Sequence, residues 1–174
     1  MPKTLDLKKF IRDIPDFPKK GIIFKDITTL LKDPKALKAS VDLLAKAVAK
    51  SKPKYIVGIE SRGFIFGTAV AYKLGLGFIP VRKKGKLPYK TTSVSYDLEY
   101  GTDTLEMHAD ALKKGDKVVI IDDLLATGGT VGAVSELVRG SGARINAVAF
   151  VIELSFLNGR DKLKGLPVVS LIQY

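Results

Sequence analysis

An α/β fold, with a mainly parallel five-stranded central sheet flanked by helices, is predicted by three features of the sequence. Five short apolar runs, at residues 55–59, 78–81, 118–121, 147–152 and 168–172, have the length and composition of strands. Stretches with helical spacing separate several of them, which is the alternation of βαβ units rather than of a sandwich or a bundle. No internal repeat or low-complexity linker interrupts the 174 residues, a length that suits one domain with a core of its own.

The elements follow in order. Residues 5–13, LDLKKFIRD, predict a short helix with Leu7, Phe10 and Ile11 on one face, stopped by Pro15. The next segment, IPDFPKKGIIFKDIT, holds two prolines and a glycine and reads as an extended arm. Asp33 and Pro34 make a helix start, and Leu37, Val41, Leu44 and Val48 carry that helix to about Lys50. Residues 55–59 form a strand, 63–74 a helix and 78–81 a strand. Residues 82–110 break the rhythm with a basic turn, RKKGKLP, and alternating segments around Glu99, Tyr100 and Gly101 that predict a protruding hairpin. An excursion of that length in a compact domain is of the functional or the mobile kind. Val118, Val119, Ile120 and Ile121 then read as a strand covered on both faces. Val131, Val134, Leu137 and Val138 share one face of a helix that Gly140 and Gly142 end.

With 46% hydrophobic and 27% charged residues, the chain has the balance of an ordered globular protein. No apolar run approaches a membrane span and MPKTLDLKKF lacks the apolar core of a secretory signal, so a cytoplasmic protein without a membrane partner is expected. The absence of cysteine and the single histidine exclude a disulfide framework and a thiolate zinc site. Metal chemistry is thereby confined to carboxylates and phosphates with a hard cation such as Mg²⁺. The net charge of +11 points to anionic partners, either nucleic acid or phosphorylated small molecules. Asn146, Asn158 and Gln173 are the only amides, a depletion expected of a heat-adapted or stability-designed sequence.

The most informative stretch chemically is VVIIDDLLATGGT, residues 118–130. Asp122 and Asp123 stand at the carboxyl end of a buried strand. Ala126, Thr127, Gly128, Gly129 and Thr130 follow, and their backbone amides can surround an anion before a helix begins. No GxxxxGK[ST] occurs, and Gly75-Leu-Gly77 precedes a strand instead of following one, so neither a nucleotide hydrolase nor a dinucleotide fold is indicated. Carboxylates are good partners for sugar hydroxyls and for Mg²⁺, so two of them ahead of an anion cradle suit a sugar phosphate. His108 has nothing nearby to complete a catalytic set and is assigned a structural or surface role; Asp110 and Asp116 read as loop polarity.

This stretch resembles the phosphoribosyl pyrophosphate (PRPP) motif of the type I phosphoribosyltransferases. Likeness extends over nearly the whole chain: PDFPKKGIIFKDIT, ESRGF at 60–64, VRKKGKLP at 81–88, YDLEYG at 96–101 and the terminal SLIQY are similar to the adenine-using branch of that family. The resemblance implies a single domain over 1–174, with a hood from about 1–33 plus the C-terminal part, and a flexible loop at about 84–108. It implies Mg²⁺-dependent transfer from PRPP to adenine, giving AMP and pyrophosphate, by a homodimer for which nucleic acid is not an expected partner.

The roles it implies are specific. Asp122, Asp123, Ala126, Thr127, Gly128, Gly129 and Thr130 would hold ribose and its phosphate. Glu60, Ser61, Arg62, Arg82, Lys83 and Lys86 belong to the pyrophosphate region, where the peptide joining Glu60 to Ser61 is expected to be cis and Glu60 itself to act structurally. Ile23, Phe24, Lys25 and Leu157 would bind adenine, Phe24 and Leu157 covering its two faces. Glu99 is the expected general acid/base, assisted by Tyr100 and Arg62. No protein ligand for Mg²⁺ is assigned beyond Asp122 and Asp123 as possible contacts, since PRPP would hold most of its coordination. The rivals are transfer to another purine, and a PRPP-sensing regulator without turnover; retention of Glu99, Arg62 and the basic loop favours the enzyme.

Overall fold

A computed structural model describes residues 5–97 and 102–174. Two compact units divide the chain, Met1–Leu43 and Leu44–Tyr174.

In the first unit the expected helix over 5–13 is replaced by a 3-10 turn, Leu7–Phe10, followed by strand β1, Arg12–Pro15. The reason is a distant partner: β1 pairs antiparallel with β2, Ile23–Asp26, in the register Arg12↔Asp26 to Pro15↔Ile23. Charges across the pair reinforce that register, with Arg12 donating to Asp26 at 2.6 Å and Lys25 to Asp13 at 2.8 Å. Asp16, in the left-handed region at φ 57°, accepts from the amide of Gly21 at 2.7 Å and closes the connection. Tertiary pairing here overrides the local helical spacing. Asp26 also receives the amide of Thr28, and that bond with the Arg12 guanidinium lowers its carboxyl to about 2. A short helix α1, Thr28–Lys32, follows. Helix α2, Pro34–Ala49, starts as expected: the Asp33 carboxylate caps the amides of Lys35 and Ala36 at 2.9 and 2.8 Å.

The second unit is built on a sheet. Strands β3 (Tyr55–Ile59), β4 (Gly77–Lys83), β5 (Thr91–Asp97), β6 (Thr102–His108), β7 (Lys117–Leu125), β8 (Arg144–Glu153) and β9 (Val168–Gln173) lie in the order β5-β6-β4-β3-β7-β8-β9. The five strands β4-β3-β7-β8-β9 are mutually parallel, as expected. The hairpin β5–β6 adds two antiparallel strands at the β4 edge, so the excursion after β4 extends the sheet instead of leaving it. Helices α3 (Arg62–Leu74) and α4 (Gly129–Gly140) are the crossovers after β3 and β7.

Strand β7 is the middle of the parallel set, and Val118, Val119, Ile120 and Ile121 are each 0% exposed. Burying such side chains contributes roughly 1.5–3 kcal/mol apiece. Truncating Ile120 to alanine costs about 2–5 kcal/mol, because a close-packed site collapses only partly. The strand also runs past its apolar run: Asp122 pairs with Phe150 and Leu124 with Ile152, so both acids lie within β7. From β3 the chain crosses to β4 on one side, while β7 flanks β3 on the other. The carboxyl ends of β3 and β7 therefore border the switch point at which open α/β sheets bind ligands.

Candidate active site

Because β3 and β7 are parallel neighbours in the register Gly58↔Ile121, their carboxyl ends bring Glu60–Arg62 beside Asp122–Asp123. The peptide between Glu60 and Ser61 is cis, as the resemblance implies, and α3 begins at Arg62. Gly63 lets the helix sit tightly on β7, since a Cβ there would lie 2.7 Å from Asp122 Oδ1 and 2.9 Å from the Ile121 carbonyl oxygen. The positive end of α3 is thus held against the acid pair.

Asp123 is 4% exposed, and its Oδ2 lies 2.9 Å from Arg62 Nε, an ion pair in which that oxygen accepts no well-aligned hydrogen bond among the described residues. The Asp123 amide donates to Asp122 Oδ1 at 2.9 Å. Asp122 as a residue keeps partial exposure, but its carboxyl group is enclosed. Burial first, and then the charge of Asp123, push it well above the usual carboxylate range. Burial also raises Asp123, opposed chiefly by Arg62. In the ligand-free protein the pair therefore resists carrying two negative charges. Hydroxyl donors, or positive charge developing above it, relieve that resistance.

Immediately downstream a cavity of about 70 Å³ is lined by Asp122, Ala126, Thr127, Gly128, Gly129 and Thr130 among others. It sits over the first turn of α4, where amides have no intrahelical carbonyl to receive them. Gly128 is left-handed at φ 78°, and a Cβ on it would run into the backbone carbonyl of Gly159. Thr130 Oγ1 donates to the hydroxyl of Tyr96 on β5, 3.3 Å away, tying the cradle to the hairpin.

The basic segment is more engaged than its sequence suggests. Arg82 donates through Nε and a terminal nitrogen to both Glu60 oxygens, at 3.2 and 2.9 Å, and through its other terminal nitrogen to the Lys86 carbonyl at 3.0 Å. Glu60 also accepts from the Lys83 amide at 3.1 Å, and the Arg82 bond leads the causes that hold its carboxyl below the usual range. Glu60 thus orders the turn after β4. Lys83 at the end of β4 lies 3.1 Å from Asp103 on the neighbouring β6, while Ser61 and the Lys86 side chain are exposed.

Ile23, Phe24 and Lys25 all lie on β2 in the first unit. Ile23 is 55% exposed, and the Phe24 ring stacks edge-on to Phe17 at 5.3 Å. Leu157 ends the 3-10 turn Ser155–Leu157 in the second unit. Glu99 and Tyr100 lie outside the described residues. His108 sits against the edge of Tyr89, its Nε2 buried without a partner among the described residues. Asp116 pairs with Lys54 at 2.9 Å.

A family model, the phosphoribosyl transferase domain, matches residues 26–165. Adenine phosphoribosyltransferase of Carboxydothermus hydrogenoformans is 61% identical over 170 residues, covering 98% of this chain and 100% of the relative. The chain belongs to the adenine phosphoribosyltransferase family. Among solved members of that family, the enzyme of Thermoanaerobacter pseudethanolicus superposes with a TM-score of 0.94 at 55% identity, over 97% of this chain and 98% of the other. The adenine phosphoribosyltransferase of Saccharomyces cerevisiae, solved with adenine and an imino-altritol bisphosphate, gives 0.89 at 43% identity over 95% and 96% of the two chains.

The roles of Gly63, Tyr96 and Gly159 are not apparent in the sequence. Gly63 and Tyr96 act through partners 59 and 34 residues away in sequence, at Asp122 and Thr130, which no local pattern signals. Gly159 follows Asn158 in an Asn-Gly pair, a turn signal that marked the spot without revealing what the turn touches.

Proposed function

We propose that this protein catalyses Mg²⁺-dependent transfer of the 5-phosphoribosyl group from PRPP to adenine, giving AMP and pyrophosphate. The observation that carries the reading is the enclosed Asp122–Asp123 pair directly ahead of an anion-sized cavity at the start of α4. The 5-phosphate binds to the amides and hydroxyls of Ala126–Thr130. Ribose hydroxyls donate to Asp122 and Asp123, and the pair's negative charge favours the positive charge that develops at C1′ as its bond to pyrophosphate breaks.

Adenine forms the new bond to C1′ through N9, and the proton on its N7 passes to Glu99. Phe24 and Leu157 cover the two faces of the base, while backbone groups of Ile23 and Lys25 read its edge. Tyr100 closes over the site with the hairpin and excludes water. Arg62, the backbone at Glu60–Ser61, and Arg82, Lys83 and Lys86 receive pyrophosphate, with the Arg82–Glu60 pair also ordering that turn.

Among the described residues no group of three or more His, Asp or Glu side chains could hold a metal ion. Asp122 and Asp123, a carboxylate pair with Arg62 beside it, would contact a Mg²⁺ held mainly by PRPP, and the metal would supply neutralisation of the charge on the leaving pyrophosphate. We further propose that residues from about 1–33, together with the C-terminal part, form a hood, that the working form is a cytoplasmic homodimer, and that nucleic acid is not a partner. Among the described residues no helix is long and apolar enough to cross a membrane.

Competition among adenine, hypoxanthine, guanine and xanthine for labelled PRPP tests the choice of base. Consumption of adenine alone is expected, and failure to consume adenine overturns the proposal.

A further inference from the structure

Strand β8 ends in Glu153, which is 4% exposed and fully engaged. Arg160 grips it with a fork, Nε to Oε1 and a terminal nitrogen to Oε2, both at 2.7 Å, and Gln173 donates to Oε2 at 3.3 Å. The Ser170 hydroxyl lies near enough to favour the charged carboxylate but makes no well-aligned hydrogen bond. The backbone closes the same clasp: the amide of Tyr174 donates to the Glu153 carbonyl at 3.0 Å, and that of Ser155 to the Tyr174 carbonyl at 2.9 Å.

Arg160 lies in the 3-10 turn Gly159–Leu163. That turn touches the anion cradle from below. The Gly159 carbonyl occupies the space a Cβ on Gly128 would need. The Ala126 carbonyl occupies the space a Cβ on Gly159 would need, and the Leu125 side chain lies 2.9 Å from that point. Two residues before Gly159, on the same clasped segment, stands Leu157. One ion pair therefore holds a segment that supports the cradle at one end and carries the proposed purine wall at the other.

An ion pair whose arginine side chain is 45% exposed contributes little to stability alone, because solvent screens it. It is a good device for direction, because the fork fixes both distance and plane. We propose that Glu153 and Arg160 are positioning residues of the transfer site: their ion pair sets Gly159 against the phosphate cradle and Leu157 at a fixed separation from it. This rests on the phosphoribosyl reading of the cradle.

The test uses the full chain and ribose 5-phosphate as probe, with binding measured by calorimetry on folded protein and steady-state kinetics alongside. Lys54→Ala is the control, because it breaks an ion pair of 2.9 Å with a similarly buried carboxylate at the opposite, amino end of the sheet. Arg160→Ala is expected to weaken ribose 5-phosphate about tenfold and to raise KM for adenine by a similar factor, with Arg160→Lys between it and wild type. Lys54→Ala, at equal or greater loss of melting temperature, leaves both within about twofold. Equal effects of the two variants, or unchanged affinity in Arg160→Lys and Arg160→Ala, overturn the inference. Should Arg160→Ala not fold, Arg160→Lys against Lys54→Ala decides alone. Failure of the underlying reading looks different, as wild type itself would then neither bind ribose 5-phosphate nor form AMP.

Discussion

Replacing Gly128 with alanine perturbs the cradle by one methyl group, and the structure supplies the magnitude. The residue sits at φ 78°, where an L side chain costs about 1–2 kcal/mol. The added Cβ also overlaps the Gly159 backbone, which cannot retreat because the Ala126 carbonyl and the Leu125 side chain stand behind it. Overpacking of that kind costs about 1–3 kcal/mol. The sum is roughly 2–5 kcal/mol, which for a chain of this size lowers the melting temperature by about 4–20 °C. Displacing the cradle amides should also weaken PRPP about a hundredfold, since phosphate anchoring depends on fixed donors. Gly140→Ala is the control: it ends the helix that Gly128 caps, has open space at its Cβ, and should be neutral or stabilising by about 0.5–1 kcal/mol. Differential scanning calorimetry with and without PRPP reads both effects. If Gly128→Ala melts with wild type and binds PRPP normally, the close-approach argument is wrong.

Three other perturbations separate the parts of the site. Asp122 has its carboxyl raised by burial and by Asp123, so its protonated form favours the fold. That stability is complete below the ordinary carboxylate value and is lost as pH rises through the raised one. Asp122→Asn should therefore be more stable than the ligand-free wild type at pH 7 by about 1 kcal/mol, with a flatter pH profile, yet inactive; a less stable variant in thermal melts would refute the assignment. Glu99→Gln should lower kcat by about 10²–10³ while PRPP affinity stays within about twofold, and unchanged turnover would remove Glu99 from the mechanism. Phe24→Ala should raise KM for adenine about tenfold and leave ribose 5-phosphate binding alone. Equal losses for both ligands would mean that Phe24 acts on the fold.

Much of the fold was legible because its strands are continuous apolar runs bounded by turn residues. Residues 55–59 were read with the bounds observed for β3, and the Asp33–Pro34 start of α2 carried its own cap. Strand β7 outruns its apolar signal, since Asp122 and Asp123 mark a strand's end in the sequence yet lie within it. The N-terminal segment has helical spacing but no long helix, because the charges that pair β1 with β2 lie more than ten residues apart in sequence, as at Asp13 and Lys25. In the site, the acid pair and the glycine cradle were visible as a local motif. What holds them was not: Gly63 under Asp122, Gly159 under Gly128 and Glu60 across Arg82 are contacts that only folding creates. A carboxylate that binds ligand and one that orders an arginine look alike in sequence and differ only in what surrounds them.

Whether the enclosed acid pair and the cradle hold PRPP for transfer to adenine is decided by measuring AMP and pyrophosphate together from adenine and PRPP, in wild type and in Asp122→Asn/Asp123→Asn, with Mg²⁺ and with a chelator. Equimolar AMP and pyrophosphate from wild type with Mg²⁺, and no product from the double variant or after chelation, is the predicted result. Undiminished AMP formation by the double variant, or none by wild type with Mg²⁺, would contradict it.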